Sequence, residues 1–290
     1  MGERFCFGRF GGYNHIMSLF LARSFSVALV ASSTPSQLVR VLSLHRSVIN
    51  FVTETGDLLA VVNPSIGDGP FHIVLETPAR FDFIPLHAEG IWQGRSLALG
   101  HVRIDWSRAQ GWNPYLASTI ITRSALDVLQ ACAQKHKAFR SRWTGMKQHT
   151  VTRMQKGAML LASGLWASET ESLRQGLVLL MGVGPGLTPA GDDYLLGVMA
   201  RLQMDSSWPD VVQVGELISG MGVKTTRLSW TWLMHAAHGE FDERWHHLRL
   251  ALMQQDELAI CRACHDVLQV GASSGPQAMA GFLLMDALQF

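Results

Sequence analysis

The stretch GWNPYLASTIITRSALDVL, running from Gly111 to Leu129, is where the chain changes its period. Before Asn113-Pro114, apolar residues come in short alternating runs. After it, Ile120, Ile121, Leu126, Val128 and Leu129 fall near helical spacing, on a segment ending around Phe139. Toward the N-terminus, residues 25–31, 46–53, 58–62, 71–76 and 99–106 read as strands. Turn signals separate them: Thr55-Gly56-Asp57, Asn63-Pro64-Ser65, Gly67-Asp68-Gly69-Pro70 and residues 82–85. Thr55-Gly56-Asp57 reads as a hairpin turn. Toward the C-terminus, residues 141–149 are polar, contain Gly145, and read as a connection. Helices are then predicted at residues 169–181, 192–204, 209–219, 225–237, 242–254, 257–270 and 276–288. Strands followed by helices, without alternation, imply an α+β fold. The expected division is an N-terminal extension at 1–24, a β-rich domain at 25–115, and a helical domain at 116–290 carrying the glycine-rich turns.

The chain is 48% hydrophobic and 16% charged, which suffices for a real core and is unlike a disordered sequence. With 24 basic and 23 acidic residues the formal net charge is +1, so no broad attraction to nucleic acid or anionic lipid follows. Residues 175–191 and 267–285 lack charges, but glycine and proline interrupt both, and neither reads as membrane-spanning. Residues 16–22 are apolar and follow Arg4 and Arg9, but Arg23 breaks the run and no cleavage site follows, so a secretory signal is not expected. The four cysteines suggest no disulfide framework, which points to a reducing cytoplasm.

The strongest local signal is Gly182-Val-Gly-Pro-Gly-Leu-Thr-Pro-Ala-Gly-Asp-Asp193, set between two helix-like runs. Gly182 suits a left-handed helix end. Gly184 and Gly186 let backbone approach a ligand closely. Thr188 followed by Pro189 reads as an N-cap and first helical residue. Free N–H groups at such a start attract phosphate or carboxylate. Asp192 and Asp193, candidate catalytic groups, could also hold Mg²⁺ against a phosphate. Spacing alone favours a plain helix–turn–helix corner whose aspartates complement the helix dipole. A second turn, Gly271-Ala-Ser-Ser-Gly-Pro276, also precedes an apolar helix. There Ser273 and Ser274 could cap the helix or touch an anion, and capping is the simpler reading.

Other motifs carry less. Gly222-Val-Lys-Thr-Thr226 imitates the tail of a P-loop without its upstream spacing, and Thr225 or Thr226 more simply starts a helix. Cys261-Arg-Ala-Cys264-His265 fits the haem-attachment pattern, but it lies in a helical stretch without an export signal. Zinc is not expected there either, because no second Cys pair or spaced His pair completes four ligands. His235 and His238 share a helix face, an arrangement compatible with a metal.

Three of these segments together resemble one bacterial family. They are Gly-x-Gly-Pro-Gly-Leu-Thr-Pro-x-x-Asp-Asp at 182–193, Thr225-Thr226-x-x-Ser229 with Ala236-Ala237-x-Gly239, and Gly271-x-x-Ser274-Gly275 with Gly281. Ser47-Val-Ile-Asn50 and Gly56-Asp-Leu-Leu59 add to the likeness, which runs over about residues 25–290. The family is the AllH-type subunit of oxamate carbamoyltransferase, with relatives labelled carboxylases. The resemblance implies a transferase subunit acting with two further proteins in purine catabolism, specifically allantoin degradation. That complex would interconvert oxalurate and phosphate with oxamate and carbamoyl phosphate. It implies ligand-binding roles for Asn50, Gly184, Gly186, Thr188, Thr225, Thr226, Ser274 and Gly275, beside Asp192 and Asp193. Ala272 and Gln277 stand where relatives often carry His and Asp, which leaves room for another acceptor. A non-catalytic assembly or regulatory subunit, its glycine turns purely structural, is the competing reading.

Overall fold

The computed structural model describes residues 18–32, 36–206, 211–221 and 224–284. It divides into two compact units, Met1–Pro114 and Tyr115–Phe290. The α+β class expected from the sequence is what the structure shows: strands first, helices after.

In the first unit the strands are β1 (Ser18–Ser26), β2 (Gln37–His45), β3 (Val48–Thr53), β4 (Leu58–Val62), β5 (His72–Leu75), β6 (Glu89–Gln93), β7 (Ser96–Leu99), β8 (Val102–Asp105) and β9 (Gln110–Trp112). Their order is β5-β4-β3-β2-β6-β7-β8-β1-β9, and β1 also pairs with β5. That last pairing closes the sheet into a barrel, which leaves no long free edge to recruit another chain. Phe51, Leu59, Ile73, Leu97 and Ile104 are among its fully buried side chains. In β6, exposed and buried residues alternate, with Gly90 and Trp92 inward, as expected of a strand with one wet face. The Thr55-Gly56-Asp57 turn joins β3 to β4: Gly56 has φ +93°, and the Thr53 N–H donates to the Asp57 carbonyl.

Two strand expectations need correcting. The strand expected at 25–31 ends early: from residue 27 the chain forms a short 3-10 helix, Val27–Ser32. The Ser26 hydroxyl accepts from the Ala28 N–H and offers the backbone an alternative to the ladder. The run 99–106 is not one strand, because Gly100, at φ +57°, turns the chain between β7 and β8. Residues 18–24, placed in the expected extension, belong to β1, while residues 1–17 lie outside the described residues.

The second unit is helical: α1 (Arg123–Lys135), α2 (Lys137–Arg140), α3 (Gln148–Ala167), α4 (Thr170–Leu180), α5 (Ala190–Met204), α6 (Val211–Gly220), α7 (Arg227–Ala237), α8 (Glu243–Gln254), α9 (Glu257–Leu268) and α10 (Ser274–Phe282). His136, with extended backbone at φ −76° and ψ 129°, separates α1 from α2. α3 is the helix that the sequence reading missed. It takes in the end of the supposed connection 141–149 and buries Val151, Met154, Leu161 and Leu165. α5 is the centre of the unit, with buried residues all round its circumference, as a core helix should have. The predicted ends at residues 209–210 and 285–288 lie outside the described residues. Among the described residues no helix is long and apolar enough to cross a membrane.

Cys132 of α1 and Cys261 of α9 are joined as a disulfide, with Cα atoms 5.5 Å apart. This corrects the expectation that the four cysteines form no disulfide framework. The two residues stand 129 positions apart, and only the packing of α1 on α9 brings them together.

Candidate functional site

The glycine-rich turn leaves α4 and enters α5. Gly182 has φ +70°, and a Cβ there would stand 2.4 Å from the Lys224 carbonyl oxygen. Only glycine therefore lets the segment before α7 lie against this turn. Gly184 and Gly186 also have positive φ, +118° and +100°, and a Cβ on Gly186 would meet nothing within 4 Å. Pro185, Gly186 and Leu187 are exposed.

Asp192 points inward and ties two segments together. Its Oδ1 accepts from the Gly182 N–H at 2.8 Å, and its Oδ2 accepts from the Thr225 hydroxyl. The Ser229 hydroxyl also faces it. Thr226 caps α7 by accepting from the Ser229 N–H, while its own hydroxyl donates to the Leu187 carbonyl. Gly222 and Val223 lie outside the described residues. Replacing Thr225 by valine removes one donor from a buried carboxylate without changing its volume. A loss of about 1–3 kcal/mol in urea unfolding is expected. A change below about 0.5 kcal/mol, the ordinary surface value, would show that Thr225 does not hold Asp192.

Asp193 connects the same turn to α10. Burial is the main influence on its carboxyl group, the Ser274 hydrogen bond opposes it, the neighbouring Asp192 reinforces it, and Thr188 opposes it again; the pKa is pushed up to about 8. Burial also raises Asp192, against its hydrogen bonds to Thr225, Gly182 and Ser229. Asp193 is therefore mostly protonated at neutral pH, and its Oδ2 has no hydrogen-bond partner among the described residues. The Thr188 and Ser274 hydroxyls contact each other at 3.0 Å. Thus Thr188 is not the N-cap expected of it: Pro189 takes that place and α5 begins at Ala190. Ser273 sits at the N-cap position of α10 but makes no capping bond through its side chain.

The two glycine turns lie together because α5 and α10 run parallel. Asp193 meets Ser274, a Cβ on Gly197 would overlap the Ala278 carbonyl, and Arg201 lies over the Phe282 ring. These pairs ascend together along both helices, so the two N-terminal ends share one side. Gly275 is buried at that end, where a Cβ would clash with the Val267 carbonyl of α9.

The donors available to an anion differ from those expected. The helix start itself is largely closed: the Gly191 N–H donates to the Val183 carbonyl, and those of Asp192 and Asp193 donate to the Pro189 carbonyl. In α10 the Gly275 N–H donates to the Val270 carbonyl, and Pro276 has none to offer. The N–H groups of Gly184, Gly186, Leu187 and Thr188 make no such bond among the described residues. The turn, rather than the first helical turn, holds the unpaired donors.

As folded, the aspartates offer Mg²⁺ a poor pair. Both Asp192 oxygens already accept hydrogen bonds, and Asp193 is mostly neutral. Among the described residues no group of three or more His, Cys, Asp or Glu side chains could hold a metal ion. His235 contacts Glu240, and His238 Nδ1 lies 2.8 Å from the Met234 carbonyl oxygen. Asn50 belongs to the first unit, buried in β3, and donates to the Ser43 hydroxyl at 2.9 Å.

Sequence reasoning passed over Gln277 and Arg142 as site residues. The Gln277 amide donates to the Arg142 carbonyl at 3.0 Å, and its Oε1 is buried without a partner. The departure at Gln277 was visible in the sequence, but its burial was not.

Residues 180–285 match the family model described as oxamate carbamoyltransferase subunit AllH. The match takes in the glycine-rich turn, the Thr225-Thr226 pair and the second turn, and so supports over this segment the resemblance read from the motifs. It begins after the β-rich part, which leaves Asn50 outside it. No curated protein and no solved structure matches the chain.

Proposed function

We propose that the joint between the glycine-rich turn, the start of α7 and the start of α10 is a small-anion site, and that the chain serves as a subunit of an oxamate carbamoyltransferase-related complex. The ligand class is a carbamoyl phosphate or an oxalurate-like carboxylate. One observation carries the reading: three segments separate in sequence converge on two adjacent buried carboxyl groups, α7 on Asp192 through Thr225 and α10 on Asp193 through Ser274, beside the unpaired N–H groups of the turn. An ionised pair of aspartates would repel an anion. A protonated Asp193 instead offers an O–H donor, and the backbone N–H groups of the exposed turn add others. The turn would hold phosphoryl or carboxylate oxygens, and Asp193 would steady the charge that develops as the carbamoyl group moves. The family description names a subunit, so the remaining machinery would come from partner proteins.

Calorimetry with phosphate, oxamate and carbamoyl phosphate, with and without Mg²⁺, tests this directly. At least one anion is expected to bind without Mg²⁺. Gly186→Val should weaken that binding more than tenfold, because the side chain enters the open space before the turn. At φ +100° a β-branched residue is strained, so a stability loss of about 1–3 kcal/mol is expected as well, and binding is compared under conditions where the variant is folded. If none of the three anions binds the chain alone or with its partners, the assembly-subunit reading replaces this one.

A further inference from the structure

We propose that Cys132, His136, Cys261 and His265 form a zinc site that opens when the Cys132–Cys261 disulfide is reduced. From sequence, zinc is not expected at Cys261-x-x-x-His265, because no second ligand pair is in view. The fold brings Cys132-x-x-x-His136, with the same spacing, alongside it on α1 and its C-terminal cap. The cysteines already touch, with Cα atoms 5.5 Å apart. The His136 and His265 rings stand edge to face, with centroids 5.3 Å apart. Two thiolates and two imidazoles on neighbouring helix turns are a tetrahedral zinc donor set.

Details of the cluster fit that role. His136 Nδ1 is buried and has no partner among the described residues. The Gln269 amide lies 3.3 Å from His136 Nε2, where its oxygen, after an amide flip, would accept the Nε2–H as an outer-shell partner. Cys132 and Cys261 are half-buried, so a reductant can reach them. Two sulfurs on one tetrahedral zinc stand roughly 3.8 Å apart, against about 2.05 Å in a disulfide, a change that side-chain rotation can supply. Cys264 is not in the set. It is buried in the core, which pushes its thiol up to about 12. That burial also argues against haem, which would need both cysteines of the Cys-x-x-Cys-His run to be accessible.

The chemistry balances with an ordinary thiol or phosphine reductant. A thiol reductant gives two electrons and two protons to the S–S bond and becomes a disulfide; a phosphine gives two electrons and becomes its oxide, with water supplying the oxygen and the two thiol protons. Zinc then binds the two thiolates and releases those protons. In the oxidised state shown here the four residues offer no metal-binding group.

The full chain, reduced with a water-soluble phosphine and desalted without oxygen, is titrated with Zn²⁺ against a chromophoric chelator, and bound zinc is measured by mass spectrometry. About one zinc per chain is expected in the reduced protein, and less than a tenth of that after oxidation with diamide. Cys132→Ser and His265→Gln should each weaken binding by more than the tenfold that loss of an outer-shell partner costs. Co²⁺ in place of zinc should give thiolate charge-transfer and tetrahedral d–d bands, a readout independent of whether a variant is destabilised. Zinc content equal in the reduced and oxidised chains, or a Co²⁺ spectrum without thiolate bands, would overturn the proposal.

Discussion

Alanine at Gly197 is expected to destabilise the helical unit by about 3 kcal/mol or more, at the upper end of overpacking costs. The added Cβ would stand 1.7 Å from the Ala278 carbonyl oxygen and 2.6 Å from its carbon. The obstacle is backbone, so no rotamer change relieves it. α5 and α10 would have to separate, and Gly281, whose own Cβ would stand 1.9 Å from the Tyr194 carbonyl oxygen, shows that the contact is close on both helices. For a unit of this size such a loss lowers Tm by roughly 6–12 °C, readable by thermal circular dichroism. Separation should also pull Ser274 away from Asp193 and Thr188, so anion binding should fall even below the new Tm. A Gly197→Ala chain with unchanged Tm would mean that the two helices are not packed this closely.

The second large effect is on the pH dependence of folding. Asp193 has an unfolded value near 3.8 and a folded value of about 8. A folded pKa raised in this way means that the unfolded chain ionises first. The group's contribution is fully present below the unfolded value and is lost as pH rises through the folded one. Between pH 5 and pH 8 stability should fall by an amount on the order of 4 kcal/mol. Asp192, raised by burial in the same manner, slopes in the same direction. Asp193→Asn keeps the shape but cannot ionise. It should match the parent only below the unfolded value of 3.8 and exceed it increasingly up to pH 8, with a flatter profile in urea titrations across that range. A variant with the parent's slope would show that Asp193 is not the buried acid. The substitution also separates stability from function, because it removes the carboxylic proton that the anion site is proposed to use.

Much of this architecture was legible along the chain. The change of period at Asn113-Pro114 announced strands before and helices after. Helical spacing placed α4 through α9 within a few residues, because each amphipathic face is written in consecutive residues. A left-handed position was read at Gly182, and the structure adds positive φ at Gly184 and Gly186; the family match covers the three C-terminal motifs that suggested the family. The local signal misled where a neighbour competed for the same group. Ser26 turned a strand into a 3-10 turn, and the hydroxyl of Thr188 went to Ser274 instead of capping α5.

What composition, period and spacing determined, then, was the order of strands and helices, the glycine corner and the residue types around it. Tertiary structure alone decided what those residues are chemically. Thr188 and Ser274 are 86 positions apart, and Asp192 and Thr225 are 33 apart, so no local pattern could pair them. Whether two adjacent aspartates are ionised and turned outward or buried and protonated depends on desolvation, a property of everything packed around them. The same holds for Cys132 and His136, which become partners of Cys261 and His265 only because α1 lies on α9.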